Sequence, residues 1–160
     1  MNTERIPMTR EGYEKLKAEM VLHRDIEMIE ITKRVATARE MGDLSENAEY
    51  HAAREDQGML QARINLLNDK LSRAEIVDMS KLPRDMVVLG AHVRVKDLGF
   101  DEEETFHVVG PGEDNPDENK ILTNSPIAKG LMGKKKGEIA EIETPRGIMR
   151  FQVLDITFEG

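Results

Sequence analysis

Two carboxylates, Asp43 and Glu46, stand three residues apart in the stretch Gly42-Asp43-Leu44-Ser45-Glu46-Asn47. Acids at that spacing can do two kinds of work. As a D-x-x-E capping box, Asp43 would cap the helix that follows and Glu46 would reach back from its third position. Both would also be favoured by the positive end of the helix. As ligands, the same oxygens could supply part of the shell of a divalent cation. Magnesium keeps several waters and normally needs phosphates or further acids as well, so an exposed pair would complete a site only with groups from another molecule. The nearby basic residues Lys33, Arg34, Arg39 and Arg54 are interleaved with Glu40, Glu49, Glu55 and Asp56, the pattern of a solvated helix face. Of these, only Arg39 and Arg54 stand close to the acidic stretch on either side, where they could meet one phosphate together.

Other chemistry is poorly provided for. The chain has no cysteine, which removes disulfides, thiolate zinc sites and cysteine nucleophiles. Its four histidines, His23, His51, His92 and His107, have no neighbour at zincin or finger spacing. The acidic run Glu113-Asp114-Asn115-Pro116-Asp117-Glu118-Asn119 lacks the central glycine and ligand spacing of an EF-hand and contains proline, so it reads as a solvated loop. Lys134-Lys135-Lys136 before Gly137 reads as a charged turn.

The acidic pair has to be held by what flanks it. Upstream, Thr9 is a good N-cap candidate for a proline-free helix reaching about Met41. Its seam steps through Tyr13, Leu16, Met20, Arg24, Met28, Ile31, Val35 and Ala38. The steps are mostly alternating threes and fours, but three fours follow one another around Arg24, a stutter that predicts local unwinding. Downstream, Tyr50, Ala53, Gln57, Leu60, Ile64, Leu67, Leu71 and Ala74 alternate without a break, a heptad seam. Two helices of roughly 30 residues, each about 45 Å long, joined by so short a turn must run antiparallel. The acidic pair then sits at the end of a hairpin. The small Ala53 and polar Gln57 near that end predict close approach with thin packing.

Ile76-Val77-Asp78 ends the helical pattern, and Met79 to Asp85 reads as a linker because proline and the residue before it resist helix. Beyond it the period drops to that of strands. Ala91–Val95, Thr105–Val109, Glu138–Ile142 and Ile148–Val153 are short alternating or β-branched runs divided by glycine and proline. After Val153 the apolar phase flips to Leu154, Ile156 and Phe158, which predicts a bulge near Val153-Leu154. Ser125-Pro126 opens one short helix, with serine as cap and proline at its first position. The expected class is α+β: an N-terminal antiparallel α-helical coiled-coil hairpin over residues 1–78, a linker at 79–84, and a C-terminal antiparallel β-sheet domain with one short helix over 85–160.

With 160 residues, 34% of them charged and a net charge of −8, the chain does not have the charge of a free-standing nucleic-acid binder held by phosphate contacts. No run approaches the ~18 apolar residues of a membrane span, and the N-terminus has no signal-peptide pattern. The expectation is a soluble cytoplasmic protein with no membrane contact.

The run GDLSENAEYHAAR (Gly42–Arg54), the long hairpin around it, the linker at Lys81-Leu82-Pro83 and the later NSPIAKGL run (Asn124–Leu131) occur in the order seen in the Gre family of bacterial transcript cleavage factors. The chain resembles that family, in its GreA type, over essentially its whole length. The resemblance implies a coiled coil that enters the secondary channel of RNA polymerase and an FKBP-like domain that docks at the channel rim. It makes Asp43 and Glu46 a catalytic pair donated in trans, ligands of a Mg2+ ion shared with RNA polymerase and not held stably by this chain alone. Arg39 and Arg54 become contacts to RNA or polymerase near the tip. Asn124, Ser125, Pro126, Ile127, Lys129 and Gly130 become polymerase-docking residues. The partners implied are RNA polymerase and, within the complex, the backtracked RNA 3′ end, with the factor acting as a monomer. On this view the chain is no enzyme itself: it activates hydrolytic cleavage by the polymerase, where one ion activates water and a second stabilises the leaving oxygen.

Two alternatives belong to other classes. A cleavage-silent homologue would occupy the channel and inhibit, a reading that the intact Asp43 and Glu46 disfavour. A peptidyl-prolyl isomerase would need an aromatic-lined pocket, and after Pro83 the chain offers only Phe100, Phe106, Phe151 and Phe158.

Overall fold

The computed structural model describes residues 4–43 and 46–159. It divides into two compact units, Met1–Ile6 with Glu14–Ala74, and Pro7–Tyr13 with Glu75–Gly160. The expected α+β organisation is observed, with helices dominating the first unit and strands the second.

Thr9 begins the first helix as its sequence context predicts, its Oγ1 accepting the Gly12 N–H at 3.0 Å. Helix α1 spans Arg10–Leu22 and α2 spans Met28–Arg39, joined by a π-helical segment at His23–Glu27. That segment sits on the stutter. Three successive fours carry one residue more than alternating threes and fours allow, and a π turn is the helical form that accommodates one extra residue. The insertion also changes which side chain lies near the seam. Arg24, counted there from spacing, is exposed and pairs with Asp25 at 2.8 Å. His23 is the more sheltered residue, with Nδ1 2.6 Å from Glu27 and Nε2 3.2 Å from Glu19.

Helix α3 spans Ala48–Ser72 and returns against α2. Leu16, Val35, Ala38, Ala53, Leu60, Ile64 and Leu67 are buried, all of them seam positions. The polar Gln57 donates to Thr32 Oγ1 at 3.4 Å, so a hydrogen bond stands where a larger hairpin would carry apolar packing. Further from the turn, Arg63 grips Glu19 through two nitrogens at 2.7 and 3.1 Å. The planar guanidinium fork suits that bidentate geometry. The helix stops at Ser72, earlier than its heptads imply, because Ala74–Ile76 forms strand β2 against β1, Ile6–Met8.

In the second unit, β3 (His92–Asp97), β4 (Glu102–Val109), β5 (Lys120–Leu122), β6 (Ile139–Thr144) and β7 (Gly147–Thr157) form one sheet in the order β5-β4-β3-β7-β6. The pairs β3–β4, β3–β7 and β6–β7 are antiparallel as expected. The short β5 is an addition and lies parallel to β4. The expected bulge is present: Arg94 faces Asp155 while Val95 faces Val153, which leaves Leu154 over. One face of the sheet is the core, with Val93, Val95, Phe106, Val108, Ala140, Phe151 and Val153 buried together. On the opposite face His92 and His107, partners in register, stack with ring centroids 3.8 Å apart. The segment 79–84 belongs to this unit, with Met79–Lys81 forming a 3-10 turn capped by Asp78.

Candidate functional site

The end of the hairpin is built by residues that the capping-box reading did not choose. Helix α2 closes at Glu40, whose N–H reaches Ala36 O, and Met41 N–H bonds Ala38 O at 3.1 Å. Gly42 follows at φ +135°, backbone that a side chain rarely adopts. The cap of α3 is Asn47, in extended conformation, with its Oδ1 accepting Tyr50 N–H at 3.0 Å. Its Nδ2 donates to Ala38 O at 2.5 Å. One amide therefore satisfies an orphan donor of α3 and adds a second donor to the Ala38 carbonyl at the end of α2.

This corrects the expectation that Asp43 caps the second helix. Asp43 lies before the cap, and its carbonyl accepts Glu46 N–H at 3.4 Å. Asn caps as well as Asp, and Asn47 sits three residues before the first seam residue Tyr50. That placement was the available signal. Asp43 and Glu46 are both exposed, while Leu44 and Ser45 between them lie outside the described residues. The side chain of Glu46 makes no ion pair or hydrogen bond among the described residues. No group of three or more histidine or acidic side chains that could hold a metal ion occurs among them. The donors present are hard oxygens of the kind magnesium prefers, but two carboxylates are less than a shell.

Arg39 and Arg54 are exposed and lie along one face. The Arg39 guanidinium sits 5.8 Å from the centre of the Tyr50 ring, and Arg54 is one turn beyond Tyr50 on α3. Arg54 donates to Gln57 at 2.8 Å. Tyr50, counted from sequence only as a seam residue, thus also serves as the platform that orients Arg39 by a cation–π contact. Arg34 is held to Asp56 at 3.1 Å, which removes it from the set of available cations.

The second cluster of candidate residues, Asn124 to Gly130, forms around helix α4, Pro126–Leu131. Ser125 Oγ accepts Ala128 N–H at 3.3 Å and Pro126 takes the first position. Asn124, Pro126 and Lys129 are exposed, and Ser125, Ile127 and Gly130 are half-buried. Gly130 has a packing reason for its identity: a Cβ there would lie 2.6 Å from Ile142 Cγ1. The phenylalanines do not gather into a pocket. Phe106 and Phe151 meet edge to face inside the core with centroids 6.1 Å apart, and Phe100 is in the β3–β4 turn.

The family model described as "Transcription elongation factor, N-terminal" matches residues 6–76, and that described as "Transcription elongation factor, GreA/GreB, C-term" matches residues 82–158. The chain belongs to the GreA/GreB family of transcription elongation factors. Among GreA relatives, transcription elongation factor GreA of Baumannia cicadellinicola is 49% identical over 96% of this chain and 98% of its own length. That of Thermodesulfovibrio yellowstonii is 48% identical over 98% and 99%. A solved structure, GreA factor homolog 1 (Gfh1) of Thermus thermophilus, is 30% identical over 96% of this chain and 99% of that one, with a TM-score of 0.47. The N-terminal GreA/GreB model thus contains the hairpin with Asp43 and Glu46, and the C-terminal one contains the sheet with α4. No helix among the described residues is long and apolar enough to cross a membrane.

Proposed function

We propose that this elongation factor acts as a monomer on RNA polymerase, delivering Asp43 and Glu46 through the secondary channel to the polymerase active site, where they stimulate cleavage of backtracked RNA. The observation that carries this reading is the division of labour at the turn. Asn47 caps α3, so the two acids are not required there as a capping box, and both are exposed at the end of two long helices. Their oxygens would hold part of the shell of a magnesium ion whose other ligands belong to the polymerase and the RNA. Magnesium bound between them would supply charge for activating water and stabilising the leaving oxygen.

The chain's own residues do the positioning. Asn47 ties α2 to α3 directly beneath the acids, and Gly42 lets the backbone turn between them. Arg39, oriented on Tyr50, and Arg54 face the same side and are suited to a phosphate beside the tip. The docking energy would come from the C-terminal unit through Asn124, Ser125, Pro126, Ile127, Lys129 and Gly130. The polymerase, not this chain, completes the catalytic site. A net charge of −8 suits a factor that enters a protein channel and avoids free nucleic acid.

The test is cleavage of RNA in a defined backtracked complex, measured against magnesium concentration for wild type, Asp43→Asn and Glu46→Gln. Each variant should cut about 100-fold more slowly, the scale of one lost preorganised electrostatic contact in the transition state, and extra magnesium should restore part of the rate. Polymerase binding should persist. Variants that stimulate cleavage as wild type does would exclude the acids as ligands. A wild type that binds and never stimulates would establish the cleavage-silent alternative.

A further inference from the structure

The end of the hairpin carries two aromatic rings beside its acids. Tyr50 and His51 are successive residues of α3, and their rings meet edge to face, with centroids 5.6 Å apart and planes at 67°. Arg39 lies over the Tyr50 ring. Arg54 is four residues from Tyr50 and three from His51, spacings that place it beside both on the helix surface. Two rings are thus flanked by two guanidinium groups. His51 is one turn from the Asn47 cap, whose carbonyl accepts its N–H at 3.1 Å.

These two arginines differ from others on the hairpin. Arg24, Arg34 and Arg63 are each held by a carboxylate, at 2.8, 3.1 and 2.7 Å. Arg39 makes no ion pair or hydrogen bond among the described residues, and the side chain of Arg54 bonds only the neutral amide of Gln57. Their charge is uncompensated, and the guanidinium fork suits a phosphate.

His51 is exposed, and among the described residues its ring meets no other ring, acid or hydrogen-bonding group. An edge-to-face contact covers at most one face of a ring, so a face of His51 stays open to solvent. Unstacked bases of single-stranded RNA settle on such faces, histidine's among them, while basic groups track the backbone. A protein segment could also cover a ring, but two uncompensated cations beside an open ring match a strand that alternates phosphates with bases.

We propose that His51 is a substrate-binding residue: the base of an extruded nucleotide of the backtracked RNA stacks on its open face, Arg39 and Arg54 hold the adjoining phosphates, and Tyr50 braces both Arg39 and His51. This rests on the function proposed above and adds to it a contact with a base. Every base has a π-face, so the stack tolerates any sequence but requires a base to be present.

The test uses backtracked complexes of core RNA polymerase whose extruded 3′ nucleotide carries adenine or is abasic, with the full-length chain titrated at fixed magnesium. Wild type should stimulate cleavage of the adenine complex about 10-fold more than that of the abasic one, the scale of one lost stack. His51→Ala should cut the adenine complex about 10-fold more slowly than wild type does, erasing the ratio between the two complexes. His51→Phe, which restores a flat ring, should recover most of that ratio. Thermal melts of both variants should match wild type, because His51 is exposed. Equal stimulation of the two complexes by wild type, or His51→Ala within twofold of wild type on adenine, would overturn the base contact and leave the proposed function standing. A loss in His51→Ala that keeps the wild-type ratio between the complexes would overturn it too, and accompanied by weaker polymerase binding would assign His51 to a protein contact. No stimulation of either complex by wild type would overturn both readings.

Discussion

Replacing Asn47 tests the construction of the tip most directly. In Asn47→Ala, α3 loses the acceptor for Tyr50 N–H, worth about 1 kcal/mol for a typical N-cap. The Ala38 carbonyl keeps Met41 N–H but loses its second donor, worth about another 1 kcal/mol for a partly buried hydrogen bond. The two losses fall on different helices but on one side chain, so the hairpin should be destabilised by about 2 kcal/mol. Asn47→Asp separates them: the carboxylate still caps α3 yet has nothing to donate to Ala38 O, and about 1 kcal/mol should be lost. The assay is urea unfolding followed by circular dichroism at 222 nm, because nearly all the helix lies in the first unit. With an m-value of about 1–2 kcal/mol/M for a unit of this size, Asn47→Ala should lower the helical midpoint by about 1–2 M. Asp43→Asn, which leaves the cap intact, should stay within about 0.5 kcal/mol of wild type. If Asp43→Asn proved more damaging than Asn47→Ala, the assignment of the cap to Asn47, and with it the reading of the acids as ligands, would be wrong.

Gly130→Ala should destabilise the second unit by about 1–3 kcal/mol through overpacking, since the new Cβ would press on buried Ile142 Cγ1 at 2.6 Å; methyl NMR of Val93 and Val153 during urea titration would show it, and an unchanged midpoint would refute the contact. Burial holds the His107 pKa below its ordinary value, aided by neighbouring His92 and, more weakly, by Lys120, with Glu159 and Glu113 opposing. A histidine whose folded pKa is depressed contributes stability that is fully present above its unfolded pKa near 6.5 and is lost as pH falls from there toward the folded value. Between pH 7.5 and 5 the wild type should therefore lose more stability than His107→Gln in matched denaturant titrations, and parallel losses would exclude the stacked pair as the source.

What could be read in the sequence were features that repeat within one segment. The heptads of α3, the surplus residue around Arg24, the phase flip at Val153-Leu154 and the Ser125-Pro126 helix start each state their geometry in a few consecutive residues, and each appears in the fold. The features missed depend on partners far along the chain. Strands β1, β2 and β5 are three residues each, too short to show a period. They exist because Ile6 N–H finds Arg73 O and because His107 pairs with Lys120. The core of the second unit likewise draws on Met8, fully buried and 77 positions before Asp85, which no local pattern near the N-terminus announces. At the tip, the acidic pair was visible by type and spacing. The role of Asn47 was hidden because an aspartate with a glutamate three residues on satisfies the same capping pattern.

The wide turn at His23–Glu27 has a bearing on chain length. In an uninterrupted α-helix, every residue added or removed swings all that follows by about 100°, which would carry Val35 and Ala38 off the seam and turn the tip with them. The π segment takes up one residue and returns the helix to phase. Excising a single residue from it should give a continuous α-helix with Thr32, Val35 and Ala38 still opposite α3, whereas excising one from α2 should unseat them. The hairpin thus has a place where its two arms can differ in residue count by one while the end they carry keeps its heading.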